Sequence, residues 1–141
     1  MASVIAGLAG GLVATIVMTS LMMVMGDGGP PPTASFVAKF AGGAPEDYAM
    51  PGMVLHLIYG ILAGVVFAVG VPLVGLSLGS IAVAAALGLV YGIILMIGGM
   101  MFWMRMVIGM EPDRDMMMTF GTVHIVYGVL LGAFLGAGIY G

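Results

Sequence analysis

The chain has 141 residues, of which 62% are hydrophobic and 6% charged, with a formal net charge of −3. A soluble domain carries about 25% charged residues, so these few charges cannot cover a water-facing surface, and the surrounding solvent is mostly lipid. Three basic residues exclude a nucleic-acid backbone as partner, and the absence of cysteine excludes disulfides, thiolate metal sites and a cysteine nucleophile.

A hydrocarbon layer of ~30 Å needs about 20 helical residues to cross it. The run from Ser3 to Met25 supplies them without a charge. It has no basic residue in front and is too long for a signal-peptide core, so it reads as a retained first span. Gly7 and Gly11 make a small-xxx-small pair suited to close helix approach. Thr15, Thr19 and Ser20 are expected to bond back to carbonyls of their own helix. Gly26 to Met50 is a loop, opened by Gly-Asp-Gly-Gly-Pro-Pro-Pro, which cannot continue a helix. Inside it, residues 33–41 predict a short helix in the membrane interface, with Thr33 as its cap. Phe36, Val37 and Phe40 lie on one side, Lys39 on the other, and Gly42 and Gly43 at the end.

The second span is expected at Pro51 to Val71. Pro72, Gly75 and a short connection place spans two and three side by side and antiparallel. Span three runs from Ser80 to Met104 and repeats the small-xxx-small spacing at Gly88 and Gly92; Trp103 and Arg105 fit an interfacial aromatic and a snorkelling cation. The run Met106 to Met110 is expected to extend this helix beyond the bilayer. After the polar turn Glu111-Pro-Asp-Arg-Asp115, span four covers Met116 to Tyr140, with Gly128, Gly132 and Gly136 in one row.

Four spans put loops 26–50 and 105–115 on one side and both termini with the second turn on the other. Every charged residue then lies on the loop side: Asp27, Lys39, Glu46, Asp47, Arg105, Glu111, Asp113, Arg114 and Asp115. All three basic residues being there makes that side cytoplasmic, in the plasma membrane of a prokaryote, with the termini outside.

A repeat organises the chain. His56-Leu-Ile-Tyr-Gly-Ile-Leu-Ala-Gly64 recurs as His124-Ile-Val-Tyr-Gly-Val-Leu-Leu-Gly132, 68 residues later, and these are the only two histidines. The fold expected is an all-α, four-span membrane bundle forming a single domain, made of two tandem helical hairpins. Both hairpins start on the same side, so their pseudo-two-fold axis runs along the membrane normal. Spans two and four become equivalent, with His56 and His124 at matching depth.

An ionisable group within a span is a functional candidate. Helical spacing puts His56, Tyr59, Gly60 and Gly64 on nearly one face, and His124, Tyr127, Gly128 and Gly132 likewise. A glycine one turn from each histidine leaves space beside the imidazole. One reading is a single b-type haem held axially by His56 and His124, with Gly60, Gly128, Tyr59 and Tyr127 around it and Arg105 toward a propionate. The placement on helices two and four resembles the haem-bearing helices of the cytochrome b group, which carry two histidines per helix rather than one. The competing reading is structural: each histidine bonds a tyrosine hydroxyl or a helix carbonyl, and the glycines serve packing.

Sixteen methionines are a second anomaly, and most crowd the charged side. Thioethers suit Cu(I), with Met100 and Met104 one turn apart as a candidate copper pair. The alternative is a pliable surface for a partner. Enzyme readings fare worst, since no carboxylate lies within a span and no His-Glu-x-x-His or phosphate-loop pattern occurs.

The opening Gly-Leu-Ala-Gly-Gly-Leu-Val-Ala-Thr-Ile-Val-Met-Thr, followed by His-x-x-Tyr-Gly in span two, resembles a group of small uncharacterised four-helix membrane proteins of haloarchaea and bacteria. Some such proteins are similar to accessory subunits of respiratory oxidases. The resemblance implies a non-catalytic accessory or assembly subunit of a larger, electron-transferring membrane complex. Its partners would be other membrane subunits or further copies of itself within the lipid bilayer. The haem carrier and the Cu(I)-handling protein are the competing expectations.

Overall fold

A computed structural model describes residues 3–26 and 28–140; the placement expected for Asp27 lies outside the described residues. The described residues form an all-α bundle. Helix α1 is Val4–Met25, α2 Pro32–Ala41, α3 Ala49–Leu73, α4 Ile81–Ile97 and α5 Arg114–Gly136. A 3-10 turn at Pro45–Tyr48 leads into α3, and α4 continues without a break as a π-helical stretch, Gly98–Ile108. Four of the helices are long and apolar enough to cross a membrane, the architecture of an integral membrane protein.

Local chemistry sets the helix ends. The Ser3 hydroxyl accepts from the Ala6 amide at 3.1 Å, and the Asp113 carboxylate accepts from the Met116 amide at 2.8 Å. Each satisfies an amide that the first turn of a helix leaves without a partner. Asp113 starts α5 two residues before the expected Met116, and the helix ends at Gly136, short of Tyr140. Helix α3 begins at Ala49 and runs through Pro72. It closes at Gly75 (φ +82°), where the Leu76 amide bonds back to the Val71 carbonyl, the reverse turn that glycine adopts at low cost.

Thr33 does not cap α2. The capping position is Pro31, and the Thr33 hydroxyl instead donates to the Gly52 carbonyl of α3 at 2.6 Å. Gly52 lets α2 come this close, since a Cβ there would lie 2.6 Å from the Ala34 backbone. The loop helix is therefore fastened onto the end of α3.

The four spans pair as two hairpins. Helix α1 packs on α3 along Gly7 and Gly11 against Gly60 and Gly64; α4 packs on α5 along Gly88 and Gly92 against Gly128 and Gly132. In both seams the partner is largely backbone, so the helices approach at the distance that only small residues allow. Helix α1 also packs on α5, with Gly10 facing Leu131 and Phe134. Spans two and three are neighbours, as their short connection predicts, but they pack less closely than either hairpin. Large side chains join α3 to α4: the Tyr91 hydroxyl donates to the Ala63 carbonyl at 2.8 Å, and the rings of Phe67 and Tyr91 lie 5.0 Å apart. A short loop makes two helices neighbours, while the glycine rows decide which pack backbone to backbone.

The Ser3 hydroxyl donates to the Tyr140 carbonyl at 3.2 Å, so the first and last helices meet at one end. The charged side chains among the described residues sit in the segments at the opposite end. Thr15, Thr19 and Ser20 donate to the carbonyls of Gly11, Thr15 and Ile16, four residues back in each case, as expected for hydroxyls in an apolar helix.

Candidate functional site

The two histidines share one chamber. By the 1.5 Å rise per residue, His56 lies about 10 Å along α3 and His124 about 15 Å along α5, both counted from the charged end. Both line a half-open cavity of about 210 Å³. Helix α1 contributes Met18 and Met22, α2 contributes Pro32, Thr33 and Phe36, and α3 adds Leu55, Tyr59, Gly60 and Ala63. The opposite wall is Leu95, Gly99, Trp103, Met104 and Ile108, with Phe120, Val123 and Tyr127 from α5.

Each polar group is placed by a specific bond. The ring of His124 packs on Phe120 with centroids 4.0 Å apart, and its Nδ1 is 2.7 Å from the Phe120 carbonyl. A carbonyl can only accept, so Nδ1 carries the proton. Nε2 of His56 is 3.1 Å from the Thr19 hydroxyl oxygen. That hydroxyl gives its one proton to the Thr15 carbonyl at 2.7 Å, so the imidazole is the donor and its proton sits on Nε2. The two histidines are thus opposite tautomers. Tyr127 is 2% exposed and donates to the Gly60 carbonyl at 2.5 Å, joining α5 to α3 across the bundle. Tyr59 is 43% exposed, makes an edge-on contact with Trp103 at 6.4 Å between centroids, and marks the mouth of the chamber. The mouth lies between α3 and the π-helical stretch that continues α4.

The π-helical stretch shapes the far wall. Wider turns aim Gly99, Trp103 and Ile108 at the chamber in steps of four and five residues; an α-helix would turn the last of these away. Such stretches are rare and recur at functional sites. Gly99 leaves room for Phe120, because a Cβ there would lie 2.5 Å from that ring. In sequence Trp103 reads as an interfacial aromatic, preceded by the Gly98-Gly99 pair. That pair is the one local sign that the helix departs from regular spacing.

The other expected site residues fall outside. Gly128 faces Gly88 in the α4–α5 seam. Arg105 is exposed and lies 3.7 Å from the Glu111 carboxylate. Met104 is 1% exposed and lines the chamber, but Met100 does not, so the pair does not meet there.

A bis-histidine haem does not fit these residues. The glycines expected to open a slot are filled: Gly60 by Thr15, and Gly128 by the Gly88 backbone. A cavity of about 150 Å³ holds one benzene ring, so a chamber of about 210 Å³ takes one substituted ring and not a four-pyrrole macrocycle. The structural reading of the histidines finds its bonds here, to a helix carbonyl for His124 and to a threonine for His56. Yet each imidazole keeps one nitrogen free of protein partners among the described residues. No family model, curated protein or solved structure matches the chain.

Proposed function

We propose that the chain is a non-catalytic membrane component that holds a small, ring-bearing lipophilic molecule in the histidine chamber. One observation carries this: two histidines from different helices converge on a single half-open cavity whose other walls are almost all apolar. Apolar walls with a few convergent polar groups are what binding sites for small molecules share. The mouth beside Tyr59 faces lipid, so a ligand with an apolar tail enters from the bilayer and leaves its tail there. The charged end is taken as cytoplasmic, because the three basic residues gather at it.

The test is mass spectrometry of protein released from its native membrane together with surrounding lipid. The expected result is one bound molecule of constant mass per chain. It should be lost in Leu55→Trp and Ala63→Phe, which fill the chamber from α3. A protein without such a molecule, or filled variants that keep it, would overturn the reading.

A separate observation favours an accessory role within a larger, electron-transferring complex. Met23, Met50, Met106 and Met118 are between 60% and 74% exposed around the charged end. Methionine there provides an adaptable surface for another subunit. Cross-linking in native membranes should then join this end, rather than the end bearing the termini, to a second polypeptide.

A further inference from the structure

If the chamber binds a ring-bearing lipophile, as proposed, its hydrogen-bonding groups narrow the choice of ligand. Two of its donors are already committed: the Thr33 hydroxyl to Gly52 and the Tyr127 hydroxyl to Gly60. The histidine protons are committed as well, to Phe120 and to the oxygen of Thr19. What the imidazoles have left is a lone pair each, on Nε2 of His124 and on Nδ1 of His56. His124 is only 8% exposed. Among the described residues no side-chain nitrogen or oxygen is buried without a partner, so its unpaired Nε2 borders open space, and the open space His124 lines is this chamber. The remaining donors, the Tyr59 hydroxyl and the Trp103 indole N–H, belong to the wall at the mouth. The deep part of the site therefore accepts hydrogen bonds and the mouth donates them.

We propose that the chamber selects a membrane-soluble quinol, a hydroxylated aromatic ring on an apolar tail, over the corresponding quinone. A quinol hydroxyl directs its proton at Nε2 of His124. A quinone carbonyl at the same place would oppose one lone pair to another. The ring matches the volume of about 210 Å³, and the aromatic walls of Phe36, Trp103 and Phe120 suit a flat face. The tail leaves past Tyr59 between α3 and the π-helical stretch. No chemistry on the ring is implied: the site sorts the two redox forms by their hydrogen-bonding sense alone.

The experiment uses the full chain in lipid nanodiscs, with empty nanodiscs as the blank. Three probes share one ring and one decyl tail: the quinol, the quinone and the quinol dimethyl ether, which keeps the aromatic ring, lacks both protons and adds two methyl groups. Trp103, the only tryptophan, reports occupancy from the chamber wall, and separation of bound from free probe checks it independently. The expected result is saturable quinol binding about tenfold tighter than either other probe, the size of one or two net hydrogen bonds. His124→Leu should equalise the three probes, while Tyr59→Phe keeps the preference. If His124→Leu fails to fold, His124→Phe provides the second readout, since it keeps a flat ring against Phe120, removes the acceptor and should equalise the probes as well. Equal binding of all three probes would overturn the quinol proposal and leave the chamber reading intact. Tighter quinone binding would overturn the proposal too, and absence of saturable binding by any probe would overturn the chamber reading itself.

Discussion

The two copies of His-x-x-Tyr-Gly-x-x-x-Gly sit on equivalent helices and do different work. In the first copy Tyr59 stands at the chamber mouth and His56 reaches across to Thr19 of α1. In the second, Tyr127 is buried and bonds the Gly60 carbonyl of the first copy, while His124 bonds its own helix. The cause lies in the neighbours. Helix α3 meets a helix that carries Thr15 and Thr19 at the seam; α5 meets Gly88 and Gly92. Helix α2, held in the longer loop, covers one side of the chamber only. A duplicated motif thus brings both histidines to one chamber, and the flanking helices assign the roles.

Glycine substitution breaks this comparison most strongly. A Cβ on Gly128 would collide with the Gly88 carbonyl and come within 2.9 Å of the Gly92 Cα. Backbone cannot rotate aside, so Gly128→Ala should force α4 from α5 and destabilise the protein by about 3 kcal/mol, the upper part of the range for overpacking. A Cβ on Gly60 meets the side chain of Thr15, including its hydroxyl and a methyl at 2.9 Å. Gly60→Ala should cost less, about 1–2 kcal/mol, and Thr15→Ala should restore part of it. No corresponding rescue exists for Gly128→Ala, because Gly88 has nothing to trim. Unfolding in mixed micelles measures all the variants, and equal losses at the two glycines would refute the claimed difference between the seams.

The tyrosines are the next test. Tyr127→Phe removes a buried donor and leaves the Gly60 carbonyl without it, so stability should fall by about 1 kcal/mol. Tyr59 makes no hydrogen bond within the described residues, and Tyr59→Phe should leave the unfolding midpoint unchanged. Thermal unfolding of the two variants in one detergent decides it; a larger loss at Tyr59 would invert the assigned roles.

Much of the architecture was legible because it depends on composition and period. The span count, the shared end of the termini, and the back-bonds of Thr15, Thr19 and Ser20 come from apolar length and helix geometry. Gly42 does end α2, its amide bonding the Ala38 carbonyl. The site was half legible. Both histidines stand out through their repeat, and both line one chamber, about 10 Å and 15 Å along their helices. The space beside them was misjudged, since a missing Cβ says nothing about which neighbour fills the gap. Gly60 and Gly128 are filled by Thr15 and by backbone, and the chamber opens instead beside Tyr59 and Trp103. Trp103 reads only as an interfacial aromatic because a π-helical register cannot be read from α-helical spacing, and Phe120, one turn before His124 on α5, carries no signal of its own in an apolar run. Thr33 was misassigned because a hydroxyl near a helix start looks the same whether it caps that helix or ties it to another.

The finest distinction between the copies is a single proton on each imidazole. The Phe120 carbonyl fixes His124 with its proton on Nδ1, a bond within one helix that needs nothing from its neighbours. His56 holds its proton on Nε2 only because the Thr19 hydroxyl is turned to the Thr15 carbonyl. Nitrogen-15 spectra of histidine-labelled protein should therefore show two neutral rings with opposite assignments. Thr19→Val should release the first ring into a mixture of tautomers and leave the second unchanged. Bonds of this kind between membrane helices average about 0.6 kcal/mol, so the unfolding midpoint should scarcely move while the spectrum changes. A matching pair of tautomers in the unmodified protein would mean that Thr19 serves His56 as donor, and the lone pair assigned to Nδ1 would then be spent within the bundle.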